Sequence, residues 1–323
     1  MILNSNRIVI FFTCILSFFN VITRAAPPKT GASKLSYKSL NLQKIYPPDP
    51  PVTHHVVVGI SYFNGETSKR ETQEITVDLF GTVVPKSAMN FQRLSQGIRV
   101  VLGFYDPDKT LLAKYKGSKI NKIANGFIEG GEVLPGISSF SAHGLHFEDE
   151  NFDLTHDRPG RLSWVNDEKK DNNDSRFAIC LKKEGCSERD GTHVVFGQVV
   201  AGLDGLIDKL QNVETDENGA PKEDVTILYS VVDELKLANK DVLQKEYLKK
   251  LEAFKDGEVS QGITLAETLG VYHDDQEVIA DLRFEQLHHP LFKVLLGMCA
   301  LLACYFLVKK RKVSKVVSLR RDE

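Results

Sequence analysis

Apolar and polar positions fall into distinct regimes along the chain. Residues 8–22 form an apolar run with few polar interruptions. Arg7 precedes it, and the small residues Thr23 and Ala25 follow two apart, as a signal peptidase requires. This predicts a secretory signal over residues 1–25. Residues 26–54 are proline-rich, with Pro-Pro-Asp-Pro-Pro at 47–51 and little periodicity, and read as an extended linker. From residue 55 the pattern turns to β. Runs at 56–63 and 74–80 flank an Asn64-Gly65 turn, and Pro85 opens a helix to Gln96 that Gly97 stops. Short β segments follow, punctuated by Gly117, Gly126, Gly130, Gly131, Gly160, Gly191 and Gly197. Evenly spread short strands with few helices predict an all-β-dominated barrel over residues 55–235.

Beyond residue 235 the period changes again. Leu243, Tyr247, Leu251 and Phe254 form one helical face amid lysines and glutamates, which predicts a helical stalk over residues 236–289. Residues 291–308 then carry a single charge, Lys293. At about 1.5 Å per residue they reach ~27 Å, the thickness of a thin bilayer. A membrane helix over residues 290–308 is predicted, and the basic tail 309–323, opening with Lys309, Lys310, Arg311 and Lys312, places that end in the cytosol. The ends together describe a single-pass membrane protein whose body is lumenal.

Charge sharpens this picture. The net charge of −2 conceals a basic tail and a body, residues 26–308, with 32 bases against 41 acids. Such a body is a poor phosphate binder, so nucleic acid is excluded as a partner. Of five cysteines only Cys180 and Cys186 fall in the lumenal body. An oxidising compartment permits them to pair, and two free thiols with Cys180 buried in a strand is the other reading.

Five blocks carry a family resemblance. Val77-Asp78-Leu79-Phe80-Gly81-Thr82-Val83-Val84-Pro85-Lys86-Ser87-Ala88-Met89-Asn90-Phe91 resembles the opening strand and helix of the cyclophilins. Tyr115-Lys116-Gly117-Ser118 with Gly126-Phe127 and Gly130-Gly131 is similar to that family's active-site strands. Phe147-Glu148-Asp149-Glu150-Asn151-Phe152, Pro159-Gly160 with Leu162-Ser163, and His193-Val194-Val195-Phe196-Gly197 complete the order. The resemblance implies an eight-stranded antiparallel barrel with two capping helices, the second over residues 203–211. With signal, stalk and anchor, the chain resembles the membrane-tethered secretory cyclophilins of yeasts.

The resemblance implies a peptidyl-prolyl cis-trans isomerase acting on proline-containing polypeptide clients, with no cofactor and no metal. Twisting the amide needs a donor aimed at the proline nitrogen and an apolar cup for its ring. Carried over, the catalytic arginine's position holds Lys122. The substrate-binding positions hold Phe127, Ile128, Glu129 (for glutamine), Val165, Asn166, Ala178 (for the floor phenylalanine) and His193. The rim tryptophan has no counterpart between residues 185 and 190, and the rim leucine falls near Arg189. Lysine lacks the planar fork of arginine, so weakened turnover and weak binding of the family's cyclic-peptide inhibitor are expected. The second class of function left open is a proline-peptide binding module or chaperone without useful turnover.

Three smaller signals remain. Asn173-Asp174-Ser175 is a glycosylation sequon beside the pocket. Residues 98–114 lengthen a loop and predict an exposed insertion. Arg320 and Arg321, four and three residues from the end, resemble a dibasic retrieval signal, which together with the short span points to the endoplasmic reticulum membrane.

Overall fold

A computed structural model describes residues 40–101, 110–134, 136 and 140–270. The predicted signal, the span over 290–308, the tail 309–323 and the far part of the stalk lie outside these residues. Among the described residues no helix is long and apolar enough to cross a membrane. Chain order runs β1 (Ile45–Tyr46), β2 (His54–Asn64), β3 (Lys69–Leu79), α1 (Pro85–Gln96), β4 (Ile98–Val101), β5 (Thr110–Ala113), β6 (Ile120–Ala124), β7 (Phe127–Gly130), β8 (Arg161–Trp164), β9 (Phe177–Cys180), β10 (Val195–Ala201), α2 (Leu203–Asp208), β11 (Thr226–Glu234), α3 (Lys240–Lys255), β12 (Ile263–Thr264) and α4 (Leu265–Thr268).

Eight strands form one antiparallel sheet in the order β11-β2-β3-β10-β8-β9-β7-β6. The sheet curls until its two edges meet. Lys119 bridges Thr226, and Ile120 N and Ile227 N donate to Val225 O and Ser118 O, each at 2.9 Å. Alternation sets the interior: Val56, Val58, Ile60 and Tyr62 of β2 and Ile75, Val77 and Leu79 of β3 are buried. An aromatic cluster fills the space beneath α1. Phe91 meets Tyr115, Phe177 and Phe196 with ring centroids 5.0, 5.5 and 5.4 Å away. Trp164 stacks on Phe196 at 4.1 Å, so the lone tryptophan is core.

Helix α1 starts and stops where Pro85 and Gly97 predict. Its N-cap, Val84, has no side chain to satisfy the first amides. Glu150 supplies the acceptor from across the fold, taking Lys86 N at 2.9 Å and Ser87 N at 3.0 Å. A carboxylate there also complements the helix dipole. Helix α2 is shorter than predicted, ending at Asp208, with a 3₁₀ turn at Leu210–Asn212. The predicted insertion contains a hairpin, β4 paired with β5, whose Val101 and Leu112 are exposed.

The stalk reading changes most. β1, from the predicted linker, pairs with β12, from the predicted stalk: Ile45 opposite Thr264 and Tyr46 opposite Ile263. On α3 the predicted face is the less exposed one, with Tyr247 buried. That face borders a cleft also lined by Pro48, Asp49, Pro51 and Val52. As far as residue 270, therefore, the segment folds back on the linker and does not stand apart. A buried ionic quartet fixes both to the barrel. Arg158, fully buried, donates to Asp49 Oδ2 (3.2 Å), Pro47 O (2.6 Å), Asp157 Oδ2 (2.9 Å) and Thr268 Oγ1 (3.4 Å), and lies over the Tyr46 ring. Arg161 donates to Asp49 Oδ1 at 2.8 Å and Asp157 Oδ1 at 2.9 Å. Burial opposes ionisation of Asp157, yet the guanidinium charges of Arg161 and Arg158 hold it down at about 2.

Candidate functional site

The site grows from β7. Phe127 and Glu129 share one face of this strand by alternation, opposite Cys180 and Ala178 of β9. Phe127, Ala178, Cys180 and Cys186 form a buried apolar cluster with Val165 packed against it. Cys180 and Cys186 are joined as a disulfide with Cα atoms 6.1 Å apart. The predicted cup residues Phe127, Val165 and Ala178 thus converge, and the disulfide takes part of the wall. Ile128 does not join them. It is fully buried, and alternation turns it to the barrel interior, away from the Phe127 face. Its predicted substrate contact is corrected on that ground.

Charged groups cover the cup. Lys122 stands opposite Glu129 in the β6–β7 ladder, its Nζ 3.8 Å from Oε2. Its side chain is 48% exposed, so this pair is weak. The close partner of Glu129 is Arg189, from the 3₁₀ turn Ser187–Arg189, whose Nη2 donates to Oε1. The Arg189 guanidinium lies 3.9 Å from the Phe127 ring centroid, and Nη1 is buried with no acceptor among the described residues. Lys182 Nζ is 5.6 Å from the same ring and pairs with Glu188.

The turn bearing Arg189 is pinned from below. Asp190 Oδ1 accepts from His156 N at 2.8 Å and lies 2.9 Å from His156 Nδ1. Burial pushes the His156 imidazole down to about 4, against the opposing pull of Asp190. Gly185, at φ 92°, must be glycine: a Cβ there would sit 2.2 Å from His156 O.

Asn166 and His193 meet through Thr192. Asn166 Nδ2 donates to Thr192 O at 2.7 Å, and Thr192 Oγ1 lies 2.9 Å from His193 Nδ1. The Asn166 carbonyl accepts Asn172 Nδ2 at 3.0 Å and Lys169 N at 3.1 Å. Burial, reinforced by the Arg189 charge, lowers the His193 pKa and favours the neutral ring.

Asn173 is a correction. It is 0% exposed, and Nδ2, the atom that would bear a glycan, donates to Asp149 Oδ1 at 2.8 Å and Phe147 O at 3.2 Å. The folded domain has no room for a sugar there.

Comparison with known proteins agrees with this architecture. Residues 62–232 match the family described as cyclophilin type peptidyl-prolyl cis-trans isomerase/CLD. The chain is 36% identical over 314 residues to peptidyl-prolyl cis-trans isomerase CPR4 of Saccharomyces cerevisiae, covering 95% of this chain and 97% of that protein. It is 38% identical over 313 residues to peptidyl-prolyl cis-trans isomerase CYP8 of the same yeast, covering 94% and 96%. Against peptidyl-prolyl cis-trans isomerase B of that organism it is 38% identical over 169 residues, 51% of this chain and 76% of the other. With the curled eight-stranded sheet, the apolar cup on Phe127 and a match over more than half its length, the chain belongs to the cyclophilin-type peptidyl-prolyl cis-trans isomerases.

Proposed function

We propose that this cyclophilin is a slow prolyl isomerase for proline-containing clients in the secretory pathway, tethered in the endoplasmic reticulum membrane with its barrel lumenal. The observation that carries the weakened activity is the 3.8 Å separation of Lys122 Nζ from Glu129 on an exposed strand position. Isomerisation must cross ~18–20 kcal/mol of amide conjugation. Phe127, Val165, Ala178 and the disulfide offer the ring an apolar surface. Lys122 donates toward the proline nitrogen from the strand, but its half-exposed ammonium, only weakly paired with Glu129, is not held in place for that task. A compact ammonium cannot bridge carboxylate and substrate as a planar fork does. Losing one preorganised donor costs ~2.7–4 kcal/mol, or 10²–10³ in rate.

A protease-coupled assay of the full chain in detergent micelles tests this. Turnover should exceed background and fall about 10²–10³ below a family member with arginine at the Lys122 position, assayed alongside. Equal rates refute the weakened site. No acceleration refutes the enzyme and leaves a proline-peptide binding module. The same alterations to the cup and its rim favour weak cyclic-peptide inhibitor binding. The signal over 1–25, the span over 290–308 and the basic tail support the address. Replacing Arg320 and Arg321 by Ser should send the protein onward to later compartments; an unmoved protein refutes retrieval by that pair.

A further inference from the structure

The buried apolar cluster of Phe127, Ala178 and the Cys180–Cys186 disulfide has two cationic side chains, Arg189 and Lys182, over its Phe127 ring. What covers its Phe127 wall is Arg189. The guanidinium lies 3.9 Å from the ring centroid, the distance at which a flat ligand would stack there. Three observations describe how it is held. Glu129 accepts from Nη2. The ring supplies a cation–π contact. The Ser187–Arg189 turn is fixed from below by His156 through Asp190. A fourth describes how it is strained: Nη1 is buried without an acceptor among the described residues, a cost that water would relieve if the side chain swung out.

We infer that Arg189 is a specificity-determining plug: it occupies the proline cup of the unliganded protein, and a proline ring binds only after displacing it. The inference rests on the cup described above as the proline site. It assigns Arg189 a role opposite to that of a catalytic donor, because a group stacked on Phe127 excludes the ring it would have to serve. A competing closed state lowers apparent affinity by the fraction of molecules that are open. Carboxylates next to the client proline oppose the plug's hold by competing with Glu129 for the guanidinium, so clients with an acidic neighbour gain access that neutral ones lack.

The test compares wild type with Arg189→Leu in the full chain in micelles. Binding is read by isothermal titration with succinyl-Ala-Ala-Pro-Phe and succinyl-Ala-Glu-Pro-Phe anilides, and turnover by the coupled assay. Arg189→Leu should bind the neutral peptide about tenfold more tightly, as for a site open a tenth of the time. It should also lose the wild-type preference for the glutamate peptide. Glu129→Gln, which keeps the shape and releases the guanidinium, should move neutral-peptide affinity the same way. Tighter binding with no turnover in any variant supports the plug and refutes the isomerase reading. Unchanged or weaker binding in both variants overturns the plug. Lost turnover in Arg189→Leu without tighter binding also overturns it and makes Arg189 the donor.

Discussion

Asp49→Ala tests how the two flanking segments are attached to the barrel. Asp49 is shared by Arg158 and Arg161 through contacts of 3.2 and 2.8 Å, and both guanidinium groups are buried. Two arginines and two aspartates make the quartet neutral; removing Asp49 leaves two cations facing Asp157 alone. Each hydrogen bond to a charged group contributes about 1.5–3 kcal/mol, and unpairing a buried charge costs about 3–5 kcal/mol. The expected loss is therefore about 3–5 kcal/mol, with Asp49→Asn falling between because it keeps an acceptor but not the charge. Urea unfolding of the full chain in micelles, followed by fluorescence of the single, buried Trp164, measures it directly. A loss under about 1 kcal/mol would refute the reasoning, because it would mean that the quartet behaves like an exposed pair.

Three further outcomes are expected. His156 titrates at about 4 when folded and about 6.5 when unfolded, so only the unfolded chain binds its proton between those values. Stability should fall by up to about 3 kcal/mol as pH drops from 6.5 to 4, and His156→Gln should flatten that window; an unaltered slope counts against the assignment. Lys122 and Arg189 share Glu129, so in kcat/KM the Lys122→Arg/Arg189→Leu double variant should exceed the product of the singles by a coupling of at least ~0.5 kcal/mol, and simple multiplicativity would show that the two sites are independent. Protein isolated from a secretory host should not change mass at Asn173 on glycosidase treatment; a shift assigned to that residue would contradict its burial.

The strands and α1 were legible because their periods are long enough to read: β2 and β3 alternate over 11 residues each, and Pro85 and Gly97 mark the helix ends. The β1–β12 pairing was not, since two residues carry no period. The ionic quartet joins residues more than a hundred positions apart, and nothing local distinguishes Asp49 or Arg158 from solvated charges. At the site, Phe127, Val165 and Ala178 came from family position. Ile128 was misplaced although alternation from Phe127 already assigns it the other face. Arg189 was seen only as a charge where the family is apolar. Its reach into the cup depends on the tertiary placement of a three-residue turn. The sequon at Asn173 states chemistry and says nothing of burial.

The pairing of β1 with β12 also makes the domain nearly cyclic in connectivity. Leu42 O accepts from Ala266 N at 3.0 Å and Lys44 O from Leu265 N at 3.3 Å, so the first and last described segments lie side by side. A short peptide joining residue 270 to residue 40 would bridge neighbours and cross no strand. New ends could then be opened at the exposed turn between β2 and β3, where Gly65, Glu66 and Ser68 pack against little. Such a circular permutant should keep the barrel and the Phe127 cup while moving the place from which the chain departs to the opposite ends of β2 and β3.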